Sequence, residues 1–451
     1  MANTTLTKTF GSAGNQKTWT WSGWIKRGNI TSGGGAGSQL IIFANYTSSS
    51  IRQYFSFNSD QFYTYGQYSG VDVIEATSSP VYRDTSAWYH IVIKCDTTQG
   101  TASDRFKVYV NGSEISLSFT TTPSLDVDLP INDNGNHYIG SSNGSANYFD
   151  GSMAMVQFVD GTALGPEYFG STDSTTGIWT PQASSTISSY GTNGFKLKMD
   201  TATPGADTSG NTNTFTVGTG TPTLTQGSPS NVYATMNPLT SYYAGAWTFS
   251  NGNNTVNMGT TSERYVVGTM GFSSGKWYWE QKYVSKSGST FSRVGIESNI
   301  NNTAPDQSTS GYGYRGETSD PAQGMKVNNG TYTFWGDDYG VGDIIGCAVD
   351  MDNNKIYFSI NGVWQESGDP TSGATGTGSA FTIIDPPSGF YFPKIGKEAA
   401  DTGVWSFNFG EGFFGTTAAG TEADDNGQGL FAYDVPAGYY AMNTKNLEAY
   451  G

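Results

Sequence analysis

Only two cysteines occur in the 451 residues, Cys95 and Cys347. Two thiols so far apart build no disulfide framework of the kind that staples small secreted domains. Each lies inside an apolar strand pattern, where a free Cys behaves as a small hydrophobe. Histidine is equally scarce, with His90 and His137 alone. Zinc centres gather His or Cys and a serine triad needs His beside a nucleophile and an acid, so structural roles are expected for both. Cations are short as well: 22 Lys and Arg face 38 Asp and Glu, a net charge of −16. Without a run of basic residues there is no patch to release counterions, which disfavours nucleic acid and anionic membrane surfaces as partners. No stretch approaches the roughly 20 apolar residues of a membrane-spanning helix, so membrane insertion is not expected. The opening MANTTLTKTF lacks a basic region followed by an apolar core and is not read as a secretory signal.

What is abundant points one way. There are 60 Gly, 28 Tyr, 25 Phe and 11 Trp, and aromatics make up 14% of the chain. Aromatic and β-branched residues fit pleated surfaces while Gly and Asn close turns, so an all-β protein of many short strands is expected. The aromatic content also argues against disorder. The length exceeds what one core supports, which implies two or three domains.

Strand patterns cluster in two blocks. In the first, TWTWSGWIKR (18–27) alternates with Trp19, Trp21 and Gly23 on one face, as a half-buried strand does. WYHIVIKCD (88–96) alternates again, and RFKVYVNGSEI (105–115) runs into Asn111-Gly112, a strong hairpin signal. HYIGSS (137–142) and FDGSMAMVQFVDG (149–161) close the block. In the second, YVVGTMGFSSGKWYWEQKYV (265–284), FSRVGIE (291–297), GDIIGCAVDMDNNKIYFSINGVWQ (342–365), GFYFPKIG (389–396) and VWSFNFG (404–410) read as strands. Both blocks place a Cys-containing strand before a polar turn, a second strand and an Asn-Gly step. The reading divides the chain into a sandwich over 1–170, a Thr/Ser/Gly-rich connector with one or two strands over 171–240, a sandwich over 241–415 and a tail over 416–451. No heptad supports a coiled coil.

The segments WTWSGWIKR, WYHIVIKCD, RFKVYVNGSEI and YFDGSMAMVQFVDGTAL resemble a laminin-G-like (LamG) domain over about 3–170. GKWYWEQKYV, VGIE, GDIIGCAVDMDNNKIYFSINGVW, YFPKIG and WSFNFG resemble a SPRY domain over about 245–412. The resemblance implies two concanavalin A-like antiparallel β-sandwiches (jelly rolls) in tandem. The pairing of these domains, with an end like PAGYYAMNTKNL, resembles virion proteins of tailed bacteriophages. That implies a virion location, synthesis in the host cytoplasm without a signal peptide, and release by lysis. It also implies other virion subunits as partners and, by analogy, a homo-oligomer such as a trimer.

Catalytic patterns are sparse. Sandwich glycosidases need two carboxylates a few ångströms apart, and their Glu-X-Asp-X-X-Glu strand signature is absent; Glu280 and Glu297 stand alone. No cofactor is required by the sequence, and calcium is the one candidate ion. It takes roughly six to eight oxygens, and Asp126, Asp128, Asp133, Asn134, Asp350, Asp352 and Asn354 could supply some. Sugars are gripped by aromatic faces with polar groups at their rim. Three aromatic stretches are therefore candidate ligand loops: Tyr63, Tyr65 and Tyr68 in QFYTYGQY; Tyr312, Tyr314 and Arg315 in GYGYRGE; Trp335, Asp337, Asp338 and Tyr339 in TFWGDDYG. The expected function is a non-enzymatic tail-fibre or spike-type protein binding host surface polysaccharide through sandwich-edge loops. A capsid decoration or head-fibre protein is the structural alternative, favoured by strands that begin near residue 3. A glycan depolymerase using Glu280 or Glu297 is the enzymatic one.

Overall fold

Period-two patterning becomes antiparallel sheet in both halves of the chain. The computed structural model describes residues 3–28, 30, 39–182, 186–240, 247–259, 264–288, 292–300, 308–316, 323–397 and 402–451. The chain divides into two compact units, Met1–Leu224 and Thr225–Gly451.

The first unit carries, in chain order, β1 (Thr5–Thr9), β2 (Thr18–Arg27), β3 (Gln39–Ser48), β4 (Ile51–Asn58), β5 (Gln61–Tyr68), β6 (Val71–Val81), β7 (Trp88–Asp96), β8 (Phe106–Val110), β9 (Ser113–Glu114), β10 (Leu117–Thr121), β11 (Asn136–Ile139), β12 (Gly151–Asp160), β13 (Gly170–Thr172), β14 (Trp179–Pro181), β15 (Phe195–Leu197) and β16 (Thr216–Thr219). Among the described residues one large sheet runs β10-β6-β5-β4-β3-β11-β1-β16 and a second β15-β12-β2-β7-β8-β9, with β13 and β14 paired in a small sheet of their own. Trp19, Trp21, Phe43, Phe55, Phe158 and Phe195 fill the core between the first two.

The second unit carries β17 (Trp247–Ser250), β18 (Thr255–Met258), β19 (Arg264–Val267), β20 (Lys276–Ser287), β21 (Ser292–Glu297), β22 (Gly311–Arg315), β23 (Met325–Asn328), β24 (Thr331–Phe334), β25 (Ile344–Asp350), β26 (Lys355–Ile360), β27 (Val363–Trp364), β28 (Phe381–Thr382), β29 (Phe392–Lys397), β30 (Thr402–Asn408), β31 (Phe413–Phe414), β32 (Thr417–Ala418), β33 (Tyr440–Ala441) and the helix α1 (Thr444–Tyr450). Its sheets run β17-β18-β30-β20-β25-β26-β27, with β28 and β33 attached to β26 and β20, and β19-β29-β21-β22-β23-β24. Phe291, expected at the start of β21, lies outside the described residues.

The two units repeat one construction. The path β12-β2-β7-β8-β9 in the first matches β30-β20-β25-β26-β27 in the second. Trp19 pairs with Cys95 and Cys95 with Phe106; Trp279 pairs with Cys347 and Cys347 with Phe358. Each Asn-Gly hairpin is locked in the same manner. Asn111 N–H donates to the His90 carbonyl at 2.9 Å while its Oδ1 accepts from His90 N–H at 2.8 Å. Asn361 does the same to Ile344, at 2.8 and 2.9 Å. Gly112 and Gly362 both sit at φ +81°, which a residue with a Cβ adopts only at a cost.

In each unit a later segment folds back onto the outer face of this sheet. In the first, Phe169 and Tyr190 pack on Val92 and Val159, and Thr20 Oγ1 donates to the Thr162 carbonyl at 2.8 Å. The strand read as half-buried is therefore buried on both faces: Thr20, Ser22 and Trp24 are covered along with Trp19 and Trp21. In the second, Phe431 and Tyr439 pack on Tyr278 and Tyr357, and β33 pairs parallel to β20.

The stretches read as connector and tail are thus packed into the sandwiches. β15 joins β12 and β16 joins β1, whereas the chain from Thr225 belongs to the second unit. There Ala234 N–H donates to the Met442 carbonyl at 2.9 Å, bringing the two ends of the unit together. Turn residues mark irregular backbone, but burial is decided by the scattered aromatics that find a sheet face to cover.

Candidate functional site

Sequence patterning nominated three aromatic stretches, and the fold treats them differently. Tyr312 and Tyr314 lie on β22 with glycines at the alternate positions, Gly311 and Gly313. The strand pleat turns both rings into the core of the second unit, where they are 4% and 0% exposed. Tyr314 meets Trp335 at 5.2 Å, Tyr339 at 5.1 Å and Phe358 at 5.4 Å between ring centroids. Its hydroxyl donates to the Asp337 carbonyl, and the Tyr339 hydroxyl reaches the Ser292 and Tyr314 carbonyls at 3.0 and 2.9 Å. Burial holds the Tyr314 phenol well above its ordinary range. These four aromatics are buried in the core; Tyr312 and Tyr314 are strand rather than loop residues, whereas Trp335 and Tyr339 lie in the loop after β24 with their rings turned inward. Arg315 is half-buried with its guanidinium 5.4 Å from the Tyr332 ring centroid. Asp337 is exposed and Asp338 half-buried in the turn after β24, where Asp337 N–H donates to Gln365 Oε1 at 2.7 Å. Glu317, at the end of this stretch, lies outside the described residues.

The acid–base candidates are also enclosed. Trp179 Nε1 donates to His90 Nδ1 at 2.9 Å, which leaves the ring proton on Nε2, 2.9 Å from Ser22 Oγ. His90 therefore donates to Ser22 and cannot take its proton. Burial lowers His90 to about 3 and His137 to about 4. Asn132 N–H donates to His137 Nε2 at 3.1 Å, so Nδ1–H faces the Gly135 carbonyl at 3.1 Å. Burial raises Glu280 to about 7, although it accepts from Ala432 N–H at 2.9 Å, Tyr433 N–H at 3.0 Å and Asn408 Nδ2 at 3.3 Å. It fastens the C-terminal segment to β20. Glu297 is fully buried 3.3 Å from Lys394 Nζ, and an added Cβ on Gly311 would come within 2.3 Å of its Oε2. Both carboxylates are thus bonded within the fold.

Four of the calcium candidates have partners within the protein. Asp126 pairs with Lys17 at 3.9 Å, Asp133 accepts from Thr47 Oγ1 at 3.3 Å, and Asp350 is held by Lys276 and Asn353. Asp352 accepts from Gly275 N–H at 3.2 Å. Among the described residues no group of three His, Cys, Asp or Glu side chains is placed to hold a metal ion.

Tyr63 and Tyr65 lie elsewhere, on the face of β5 turned away from the core, and both are half-buried. The alternate residues Phe62 and Thr64 point inward. The neighbouring strand β4 adds Tyr54 and Arg52 to this outer face, because Tyr54 pairs with Tyr65 and Arg52 with Gln67. Tyr54 stands 6.2 Å from Tyr63 and 5.8 Å from Tyr65 between ring centroids, and the Arg52 guanidinium sits 5.6 Å from the Tyr65 ring. From β6, Glu75 accepts the Tyr63 hydroxyl at 2.8 Å, and Asp72 accepts that of Tyr65 at 2.6 Å. Burial, then the hydrogen bond to Glu75, hold Tyr63 far above its ordinary range. Three rings on adjacent strands with a rim of one guanidinium and two carboxylates make an aromatic platform with fixed polar partners. Tyr68 is half-buried at the strand end, opposite Val71. Tyr54 and Arg52 were missed in the sequence. The alternation of Gln53, Phe55 and Phe57 against Arg52, Tyr54 and Ser56 signals their face, but only strand pairing reveals their neighbours.

The chain thus consists of two antiparallel β-sandwiches, one of which carries an outward aromatic platform. A concanavalin A-like lectin/glucanase superfamily model of the Laminin G 3 type matches residues 3–167, and a SPRY-domain model matches residues 276–387. The two domains occur in tandem, and both types are typically non-catalytic binding modules. Similar solved structures include the SPRY domain of human HERC1, 18% identical, covering 38% of this chain and 96% of that one with a TM-score of 0.30. The TRIM65 PSpry domain is 14% identical, covering 39% and 91% respectively with a TM-score of 0.29. No curated protein matches the chain.

Proposed function

We propose that this chain is a non-catalytic glycan-binding protein of a tailed-phage virion, and that its first sandwich contacts the host surface through the Tyr54–Tyr63–Tyr65 platform. The platform carries the reading: the Tyr54 ring, with Tyr63 at 6.2 Å and Tyr65 at 5.8 Å, forms an array of three half-buried rings on rigid strands rather than on a mobile loop. Pyranose faces stack on such rings while their hydroxyls bond to the polar rim. The virion setting rests on the resemblance of the domain pair and the PAGYYAMNTKNL end to phage structural proteins.

The test is depletion of the full-length protein by host cells and by polysaccharide extracted from them. Wild type is removed from solution, while Tyr54→Ala combined with Tyr65→Ala stays in the supernatant with its folding unchanged by circular dichroism. Equal depletion of the two proteins would remove the platform from the function. Immunogold labelling of virions then tests the setting, with label at the tail expected and label over the head pointing to a decoration protein.

A further inference from the structure

We infer that Asp72 and Glu75 make the tyrosine platform selective for neutral, hydroxyl-rich glycans against acidic ones; this rests on the glycan-binding reading of the same face. The donor capacity of the two rim phenols is already committed. Tyr63 Oη–H points to Glu75 Oε1 at 2.8 Å and Tyr65 Oη–H to Asp72 Oδ1 at 2.6 Å. Gln67 Nε2 is drawn to Asp72 as well, at 3.3 Å. What remains for a ligand beside the two phenols is mostly acceptor capacity, phenolic lone pairs and carboxylate oxygens, with the Arg52 guanidinium as the donor of this face. Sugar hydroxyls supply the donors such a rim needs. A uronate, sulfate or phosphate supplies acceptors and a negative charge instead.

The nearby charges point the same way. Arg52 is the guanidinium on this face, and it leans on the Tyr65 ring at 5.6 Å from the centroid. The cation of the adjoining turn, Arg83, bonds to Asp60 at 2.5 Å. A ligand stacked on Tyr63 and Tyr65 therefore lies beside two carboxylates bonded to those rings and one guanidinium, within a protein of net charge −16. An anionic sugar would meet like charge within a few ångströms, and near a surface such repulsion weakens binding by roughly five- to tenfold.

The experiment uses the full chain with soluble dextran and mannan as neutral probes and polygalacturonate and alginate as acidic ones, at low and high salt. Wild type is expected to bind a neutral probe and to bind the acidic ones at least about tenfold more weakly. The double variant Asp72→Asn, Glu75→Gln keeps acceptor oxygens for both phenols while removing the charges. It should recover about five- to tenfold on acidic probes with little change on neutral ones, and 1 M salt should shrink the difference for wild type. Wild type binding acidic probes as well as neutral ones, or the double variant recovering nothing, overturns the selectivity and leaves the platform standing. Binding to neither class, with the tyrosine variant matching wild type on host cells, overturns the platform and the selectivity together.

Discussion

Replacing Gly112 by Ala tests how the Asn-Gly hairpin of the first unit holds the segment folded over it. Two costs arise, and the structure separates them. The first is backbone strain: Gly112 sits at φ +81°, where a residue with a Cβ is destabilised by about 1–2 kcal/mol. The second is a collision, because the new Cβ would come within 2.6 Å of the Trp179 ring. Trp179 must then move, breaking its 2.9 Å bond to His90 Nδ1. A buried acceptor left without a donor costs about 1–3 kcal/mol more. Gly70 supplies the control. It lies in the β5–β6 turn at the same φ of +81° with nothing within 4 Å of its added Cβ. Gly70→Ala should therefore cost only the strain, about 1–2 kcal/mol, and Gly112→Ala about 2–5 kcal/mol in total. Denaturant unfolding of the full chain followed by tryptophan fluorescence reads both, with the transition of the second unit as internal reference. Equal losses for the two variants would refute the claim that Trp179 rests on Gly112. The second unit offers a replicate, since a Cβ on Gly362 would meet the Tyr433 ring at 2.5 Å.

The two units should respond to pH in opposite directions. Glu280, raised from 4.5 to about 7 by burial, contributes stability that is present below 4.5 and lost as pH climbs through 7. This amounts to about 3 kcal/mol at most, and Glu280→Gln should flatten that slope of the second unit between pH 5 and 8. His90, lowered from 6.5 to about 3, contributes stability that is present above 6.5 and lost as pH falls. Acidification from pH 6.5 to 5 should cost the first unit about 2 kcal/mol through this group. Calorimetry of both transitions across that range, with both moving in parallel, would contradict the burial assigned to one of these groups. Both cysteines are buried and their thiols pushed up by burial, so native protein should resist a thiol reagent that labels the denatured chain fully.

Much of the sheet was legible in the chain itself. Alternation placed the strands around Trp19, Cys95, Trp279 and Cys347, and Asn111-Gly112 and Asn361-Gly362 marked hairpins whose positive φ values the structure contains. Other features were not. GYGYR reads as an exposed aromatic loop when Tyr and Gly are counted as binding and turn residues, yet the same alternation is a strand with every ring on one side. Period two states that Tyr312 and Tyr314 share a face but not which face meets the core.

The sequence by itself determined the class of fold, the hairpins and the scarcity of catalytic groups, because these follow from composition, pleat periodicity and turn chemistry acting over a few residues. Tertiary structure alone decided which aromatics are buried and which are displayed. Tyr63 and Tyr65 became a platform only when β4 laid Tyr54 and Arg52 beside them and β6 supplied Asp72 and Glu75. Tyr314 and Trp335 became core because an opposing sheet closed over them. The energies that choose between those outcomes come from contacts between distant parts of the chain, and no local pattern encodes them.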